Sequence, residues 1–338
     1  MINKSTNLLF VSILIISVLM SISSNSWFVM WMGMEMNIMS FIPLILNQNN
    51  LNSKEASMTY FLVQTIASML LMASIIIMMI SNNNINIIMN HTGETMLISS
   101  LMMKSGISPF HFWLPKMMEG INWIKCSILM TWQKIIPMMI LSNLMKINVI
   151  TIMAMIMSIT IGALGGLNQT SLRKLMAYSS ISNSGWMMLA MMISEFMWLM
   201  YFMFYTMMTI TFTLTMNKHK IYHLNQLMSM NETTIVKFTL MLNMLSISGL
   251  PPMMGFLPKW LIMQATMNSM EIIIVTMMVM LTLITIYYYL RIMISTLMLT
   301  NNEHKWNFNN KLNNKISMVL SSLSILGLST ITMMMMLY

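Results

Sequence analysis

The stretch Ser105-Gly-Ile-Ser-Pro-Phe-His-Phe-Trp-Leu-Pro-Lys116 interrupts a long apolar run with a glycine and two prolines. It recurs as Ser248-Gly-Leu-Pro-Pro-Met-Met-Gly-Phe-Leu-Pro-Lys259, with six of twelve positions identical and no gap. The shared residues include Gly, Pro and Lys, which are scarce in this chain, so the pair reads as an internal repeat. Irregular backbone survives at membrane depth only where protein or water satisfies it. Interrupted spans in corresponding places of two halves point to a transport pathway.

The composition agrees. Of 338 residues, 57% are hydrophobic and 7% charged, against about 25% charged in an ordinary soluble domain. All eight acids are Glu, so too little charge exists to coat a soluble globule of this size. The single cysteine, Cys126, excludes a disulfide framework, a Cys-ligated zinc site and an iron–sulfur cluster held by this chain alone. Fifty-five methionines beside abundant Ile and Asn read as the drift of a very AT-rich genome in which AUA encodes Met, as in animal mitochondria.

Eleven apolar stretches are long enough to cross about 30 Å of hydrocarbon as helix. They are 8–24, 27–46, 56–80, 95–115, 121–144, 147–167, 175–193, 196–216, 235–266, 271–296 and 315–337. The ninth is too long for one straight span and carries Pro251, Pro252 and Pro258, so it reads as a broken helix. The expected fold is an all-α, polytopic membrane helix bundle of about eleven transmembrane helices. It forms a single transmembrane domain over 1–338, with a core near 25–300 and a final helix at 315–337. If the spans alternate, Lys4, Lys54, Lys116, Arg173, Lys174, Lys218, Lys220, Lys305, Lys311 and Lys315 share the N-terminal side. Lys125, Lys237 and Arg291 lie near that side inside span ends, and only Lys146 is opposite. The positive-inside rule then puts the N-terminus in the synthesis compartment. The net charge of +9 is a topology signal, with no groove-sized basic surface for nucleic acid.

Three charges lie deep inside spans: Glu35, Lys104 and Lys134. Lys259 follows the break in the ninth. A charge at helix centre costs about 2.5–3.5 kcal/mol on insertion scales. Such residues usually face the bundle interior and mark ion or proton paths. A buried amine has neutral and charged forms of comparable free energy once a neighbouring charge or a water is within reach, and that is the requirement of a proton relay. Pro109, Pro137 and Pro258 cannot donate to the carbonyls of Ser105, Gln133 and Met254, which frees acceptors for water. His111, in the first broken span, joins the candidates as a proton carrier.

Other signals are weaker. His219 and His223 have chelating spacing but fall in a polar connector, and no metal site is expected. Gly162-Ala-Leu-Gly165-Gly166 reads as close helix packing. Trp27, Trp113, Trp123 and Trp198 lie near span ends, where an interfacial belt would place them.

Four segments carry a resemblance: Lys104–Pro115, Trp132-Gln-Lys-Ile-Ile-Pro137, Gly166–Ser182 and Gly249–Trp260. In this order they resemble the mitochondrial NADH–ubiquinone oxidoreductase chain 2 family, the antiporter-like membrane subunits of respiratory complex I. The resemblance covers roughly residues 25–265. It implies two inverted five-helix repeats with broken helices near 105–115 and 248–259, each carrying a half-channel. Glu35 and Lys104 would be the charge pair of the first, Lys134 the bridging lysine, and Lys259 the lysine of the second. His111 matches the family's histidine after the first break. Lys116 stands where relatives often have an acid. The resemblance further implies a subunit of a proton-translocating NADH:ubiquinone reductase that performs no redox chemistry itself. No cofactor is expected in this chain, with flavin and iron–sulfur clusters in other subunits of the complex. The implied partners are other membrane-arm and accessory subunits and lipids, in an obligate hetero-oligomer with no nucleic acid. The implied location is the mitochondrial inner membrane, multi-pass, with the N-terminus on the matrix side and the C-terminus on the intermembrane side.

Two other readings compete. One is a structural membrane subunit whose charges form static ion pairs. The other is a free-standing cation/proton antiporter.

Overall fold

The computed structural model describes residues 5–298 apart from 48, 85–86, 146–147, 231–233, 252 and 267–271. The eleventh span at 315–337 lies outside the described residues, as do Lys4, Lys146, Lys305, Lys311 and Lys315. The other ten spans each contain helix, and no strand occurs among the described residues.

Chain packing defines two compact units, Met1–Ala154 and Met155–Tyr338. The first holds α1 (Ser5–Ser23), α2 (Trp27–Ile45), α3 (Leu51–Asn84), α4 (Ile87–Ser105), α5 (Trp113–Gly120), α6 (Trp123–Met130) and α7 (Trp132–Leu144). Here α1 packs on α2, α3 on α4 and α5, and α4 on α7. The boundary falls within α8 (Val149–Gly166). The second unit continues with α9 (Leu172–Ile193), α10 (Glu195–His219), α11 (Leu224–Met228), α12 (Thr234–Ser248), α13 (Phe256–Thr266) and α14 (Ile272–Met298). In it α9 packs on α10, α12 on α10 and α14, and α13 on α9 and α10.

Seven helical segments among the described residues are long and apolar enough to cross a membrane on their own. The exceptions have physical causes. Helix α12 stops at the chain break after 15 residues, and α4, though 19 residues long, carries polar residues such as His91 and Glu94 in its first half. Helix α9 is buried almost continuously from Leu175 to Met191, so protein rather than lipid surrounds it and its serines are tolerated. The bundle is inside-out in polarity: Leu19 and Ile273 are 62% and 76% exposed, whereas Ser17 and Ser74 are fully buried. Those hydroxyls are satisfied within their own helices by the carbonyl three residues back, Ser17 on Leu14 at 2.9 Å and Ser74 on Leu71 at 2.6 Å. Ser100, Ser180, Ser184 and Thr215 repeat the pattern.

Both sequence-predicted breaks are present, and they share one backbone design. After α4, the Ile107 N–H bonds the Met102 carbonyl at 3.0 Å, Phe110 bonds Ile107 at 3.0 Å and Leu114 bonds His111 at 3.0 Å. After α12 the matching positions do the same, Leu250 to Leu245 at 3.4 Å, Met253 to Leu250 at 2.8 Å and Leu257 to Met254 at 3.3 Å. Gly106 and Gly249 take φ of +73° and +82°, the left-handed value that ends a helix and that residues with a Cβ resist.

The proline reading needs correction at two positions. Pro109 lies in the turn rather than in a helix, and Pro258 stands in the first turn of α13, where a missing N–H costs nothing. The Met254 carbonyl is taken by Leu257. Of these three prolines, Pro137, inside α7, removes a helical donor as expected, from the Gln133 carbonyl. One further break was not foreseen: Thr131, at φ −109° and ψ −70°, separates α6 from α7.

The tryptophan belt is also corrected. Trp113, Trp123 and Trp198 are buried inside the chain, and Trp113 Nε1 donates to the Met103 carbonyl at 3.2 Å. The glycine run does pack closely: a Cβ on Gly162 would meet Ser182 at 2.7 Å, and one on Gly165 would meet the Tyr178 ring at 2.3 Å.

Basic residues gather at one end of each unit. In the first, Lys125 Nζ donates to the Ile45 carbonyl at 3.1 Å and to Asn47 Oδ1 at 3.2 Å, beside the connector that leads to Lys54. In the second, the 167–174 and 217–224 connectors pair through Leu172 N–H to Tyr222 O and Leu224 N–H to Thr170 O, both at 3.0 Å. Arg173 stacks on the Tyr222 ring at 4.7 Å, and Arg291 donates to the Leu167 carbonyl.

Candidate functional site

The lysines singled out by sequence depth all stand beside chain breaks. Lys104 is the penultimate residue of α4, Lys134 the third of α7, and Lys259 the fourth of α13. Their exposures are 6%, 3% and 7%, too low for side chains that reach the interface. A helix end offers carbonyls and N–H groups that no helical partner takes, so it is the place in a bilayer where an amine can find acceptors.

In the first unit, Lys104 and Lys134 line one small cavity. Its polar lining comes from Asn37, Tyr60, Gln64 and Gln133, and its apolar lining includes Met34, Trp113 and Leu129. About 20 Å³ is open to the centre of a water-sized sphere, room for a water molecule with several polar neighbours. Lys104 Nζ contacts Met34 Sδ at 3.7 Å. A thioether is a weak acceptor and offsets little of the cost of desolvating an ammonium. The Glu35 carboxylate, next to Met34 on α2, acts electrostatically on both Lys104 and Tyr60. Its Oε1 is buried without a hydrogen-bond donor. An apolar groove between α1 and α2, lined by Phe10, Ile13, Met20 and Met39, also reaches Glu35.

The cavity residues are themselves linked. Tyr60 OH donates to Gln133 Oε1 at 3.2 Å, and Gln133 Nε2 donates to Asn37 Oδ1 at 3.0 Å. Gln64 Nε2 donates to the Lys104 carbonyl at 3.3 Å. Sequence reasoning named only the Gln133 carbonyl and missed all four side chains. The available signal was two glutamines inside apolar spans, one of them adjoining Lys134.

His111 is buried in the first break, but its Nδ1 lies 3.2 Å from the Pro109 carbonyl of its own turn. Its ring packs on Phe112 at 4.2 Å, and it is not among the residues lining the cavity. Lys104 and Lys134 are thus brought together on one cavity, whereas Glu35 lines the separate α1–α2 groove and His111 lies outside both linings.

Lys259 has surroundings of its own in the second unit. Its Nζ donates to the Ser248 carbonyl at 2.8 Å and lies 6.0 Å from the Trp186 ring centre. The space is defined by glycine: a Cβ on Gly249 would meet Lys259 Nζ at 3.0 Å, and one on Gly255 would meet the Ser246 carbonyl at 1.9 Å. On α9, the helix that carries Trp186, Asn183 Oδ1 accepts from Tyr201 OH at 2.9 Å.

Among the described residues no cluster of three His, Cys, Asp or Glu side chains comes together. His219 ends α10, and His223 caps α11, in the polar connector where they were expected.

The family profile described as NADH:quinone oxidoreductase/Mrp antiporter, TM, matches residues 24–285, both breaks and all three lysines included. The NADH-ubiquinone oxidoreductase chain 2 of Anopheles gambiae is 46% identical over 336 residues, covering 98% of each chain. That of Aedes aegypti is 45% identical over 335 residues, again covering 98% of each. The chain belongs to the NADH-ubiquinone oxidoreductase chain 2 family. Solved structures extend the fold of this chain 2 family further. A chain of respiratory complex I from Thermus thermophilus superimposes with a TM-score of 0.80 at 19% identity, covering 96% of this chain and 78% of that one. A chain of the Mrp complex from a Dietzia species gives 0.78 at 12% identity, covering 96% and 75%. The all-helical antiporter-like fold therefore holds for chain 2 at identities too low to carry function.

Proposed function

We propose that the chain is a membrane subunit of NADH:ubiquinone oxidoreductase that relays protons across the inner mitochondrial membrane. Glu35, Lys104, Lys134 and Lys259 form the relay, with His111 as a further carrier at the first break. Quinone reduction elsewhere in the complex drives it. Flavin and iron–sulfur clusters belong to other subunits, and this chain contributes to the enzyme without redox chemistry of its own. It works as one transmembrane domain built from two inverted repeats, beside other membrane-arm and accessory subunits and lipids, with no nucleic acid. The N-terminus faces the matrix and the C-terminus the intermembrane space, a placement supported by the basic end of each unit.

The observation that carries this reading is the cavity onto which Lys104 and Lys134 both open. Two amines beside one water-sized polar space exchange a proton without either entering hydrocarbon. Each is a general acid when charged and a general base when neutral. The test is Lys134→Met in the assembled complex, with protons translocated per electron as the readout. A fall in that ratio with normal assembly is expected. An unchanged ratio overturns the relay.

A second reading, a structural subunit with static charges, is favoured by Lys125 and Lys259, which both donate to carbonyls at helix ends. It expects Lys134→Met to alter assembly and leave the ratio alone. The free-standing antiporter expects cation–proton exchange from the chain reconstituted by itself, and a chain that does not fold outside a complex counts against it.

A further inference from the structure

Gln133 is used at both ends of its side chain. Its Oε1 accepts from Tyr60 OH at 3.2 Å, and its Nε2 donates to Asn37 Oδ1 at 3.0 Å. The Tyr60 ring is fixed by edge contact with Phe41, centres 5.5 Å apart, and by Trp113 at 6.0 Å. Its hydroxyl therefore has little freedom except rotation of the O–H bond. The two ends of an amide have nearly the same shape and opposite hydrogen-bonding character. If Gln133 and Asn37 both turn by half a revolution, Asn37 Nδ2 donates to Gln133 Oε1 and Gln133 Nε2 donates to the Tyr60 oxygen. Two bonds are kept in either arrangement. The arrangements differ in one respect: in the first Tyr60 commits its proton to Gln133, and in the second that proton is free to face the cavity between Lys104 and Lys134.

We propose that Asn37 and Gln133 form a two-state amide switch that sets whether the Tyr60 hydroxyl presents oxygen or hydrogen to the water between Lys104 and Lys134. Gln133 is thus a positioning residue, and the proposal rests on the relay reading above. With Tyr60 presenting oxygen, the cavity water is oriented to take a proton from the Lys104 ammonium. With Tyr60 presenting hydrogen, the water is held as an acceptor and the transfer pauses. In the transfer one N–H bond of Lys104 breaks as an O–H bond forms on the water. Another O–H bond of that water breaks as an N–H bond forms on the Lys134 amine. One positive charge moves, and none is created or lost. The Gln133 carbonyl is deprived of its helical donor by Pro137, and both residues line the cavity that would hold that water.

The test uses Tyr60→Phe, which keeps the ring, and Gln133→Met, which keeps the length and apolar bulk, singly and together in the assembled complex. NADH-driven proton translocation and its solvent deuterium isotope effect are measured, with Lys134→Met as reference. Each single variant is expected to slow translocation about two- to tenfold, the effect of one hydrogen bond, and to raise the isotope effect. The double variant is expected to be no slower than the slower single one, because both act through the same hydroxyl. Where Gln133→Met does not assemble, Gln133→Asn, which cannot reach both partners, takes its place with the same expectation. Wild-type rates in the single variants, or effects that multiply in the double, overturn the switch while a defective Lys134→Met leaves the relay standing. A normal Lys134→Met overturns both.

Discussion

Lys259 Nζ stands 2.8 Å from the Ser248 carbonyl oxygen, so a lysine side chain caps the C-terminal end of α12. That end carries the negative pole of the helix and the carbonyls left without helical donors. The first repeat meets the same need differently. There the Lys104 carbonyl is taken by the Gln64 amide and the Met103 carbonyl by the Trp113 indole, while Lys116, the sequence counterpart of Lys259, is exposed. One backbone design therefore carries its amine after the break in one half and before it in the other.

The cap and the relay are separable at Lys259. Lys259→Met leaves the buried Ser248 carbonyl without its donor and is expected to destabilise the complex by about 1–3 kcal/mol, as well as lowering proton translocation. Lys259→Gln keeps a donor without the charge, so it restores thermal stability but not translocation. Thermal melting of the purified complex beside the proton-to-electron ratio separates the two.

Lys125 is the contrasting case. It is as buried as Lys104, Lys134 and Lys259 but donates to the Ile45 carbonyl and Asn47 Oδ1 and does not line the cavity. Lys125→Met is expected to reduce the amount of assembled complex, through a loss of about 1–3 kcal/mol. The proton-to-electron ratio of whatever assembles stays at the wild-type value. A lowered ratio would place Lys125 in the relay.

Glycine at the second break is expected to be irreplaceable in graded fashion. Gly249→Ala strains a positive φ and crowds Lys259 Nζ, costing about 1 kcal/mol or more. Gly255→Ala sets a Cβ 1.9 Å from the Ser246 carbonyl, backbone that cannot step aside, and costs about 3 kcal/mol. The amount of assembled complex should fall in that order, and a greater loss from Gly249→Ala would show that φ rather than space governs the turn.

Pro137→Ala restores an N–H to the Gln133 carbonyl. The helix gains a hydrogen bond and better propensity, so stability is expected to hold or rise by about 1 kcal/mol. Translocation is expected to slow, because the acceptor beside the cavity is withdrawn. Solvent isotope effects on NADH-driven pumping report that change.

The breaks and the amines were legible because Gly, Pro and Lys are conspicuous in an apolar chain, and membrane depth gives a buried charge a cost that demands an explanation. Their partners were not. Gln133 and Asn37 are 96 residues apart and Tyr60 and Gln133 are 73 apart. Asn is so common here that one more in a span carries no signal. Trp123 and Trp198 show the converse, since proximity to a span end places an indole at an interface only if the chain leaves that end uncovered. Pro109 and Pro258 do not act as the sequence predicts, because a proline removes a helical bond only where helix already surrounds it. Seven of the helical segments needed nothing beyond length and polarity.

The buried hydroxyls that return to carbonyls of their own helices, from Ser17 to Thr215, bear on how the chain is made. A helix whose polar groups are settled internally enters hydrocarbon alone, ahead of any neighbour. Insertion and pairing are then separate events for most of this sequence. They coincide where an amide or phenol must wait for another helix, as Asn37, Gln133 and Tyr60 do in one unit and Asn183 and Tyr201 in the other. Pairing is therefore tested first at these groups, three of which line the Lys104–Lys134 cavity: a subunit that pairs wrongly there reveals itself as unfinished through an amide or phenol left without a partner.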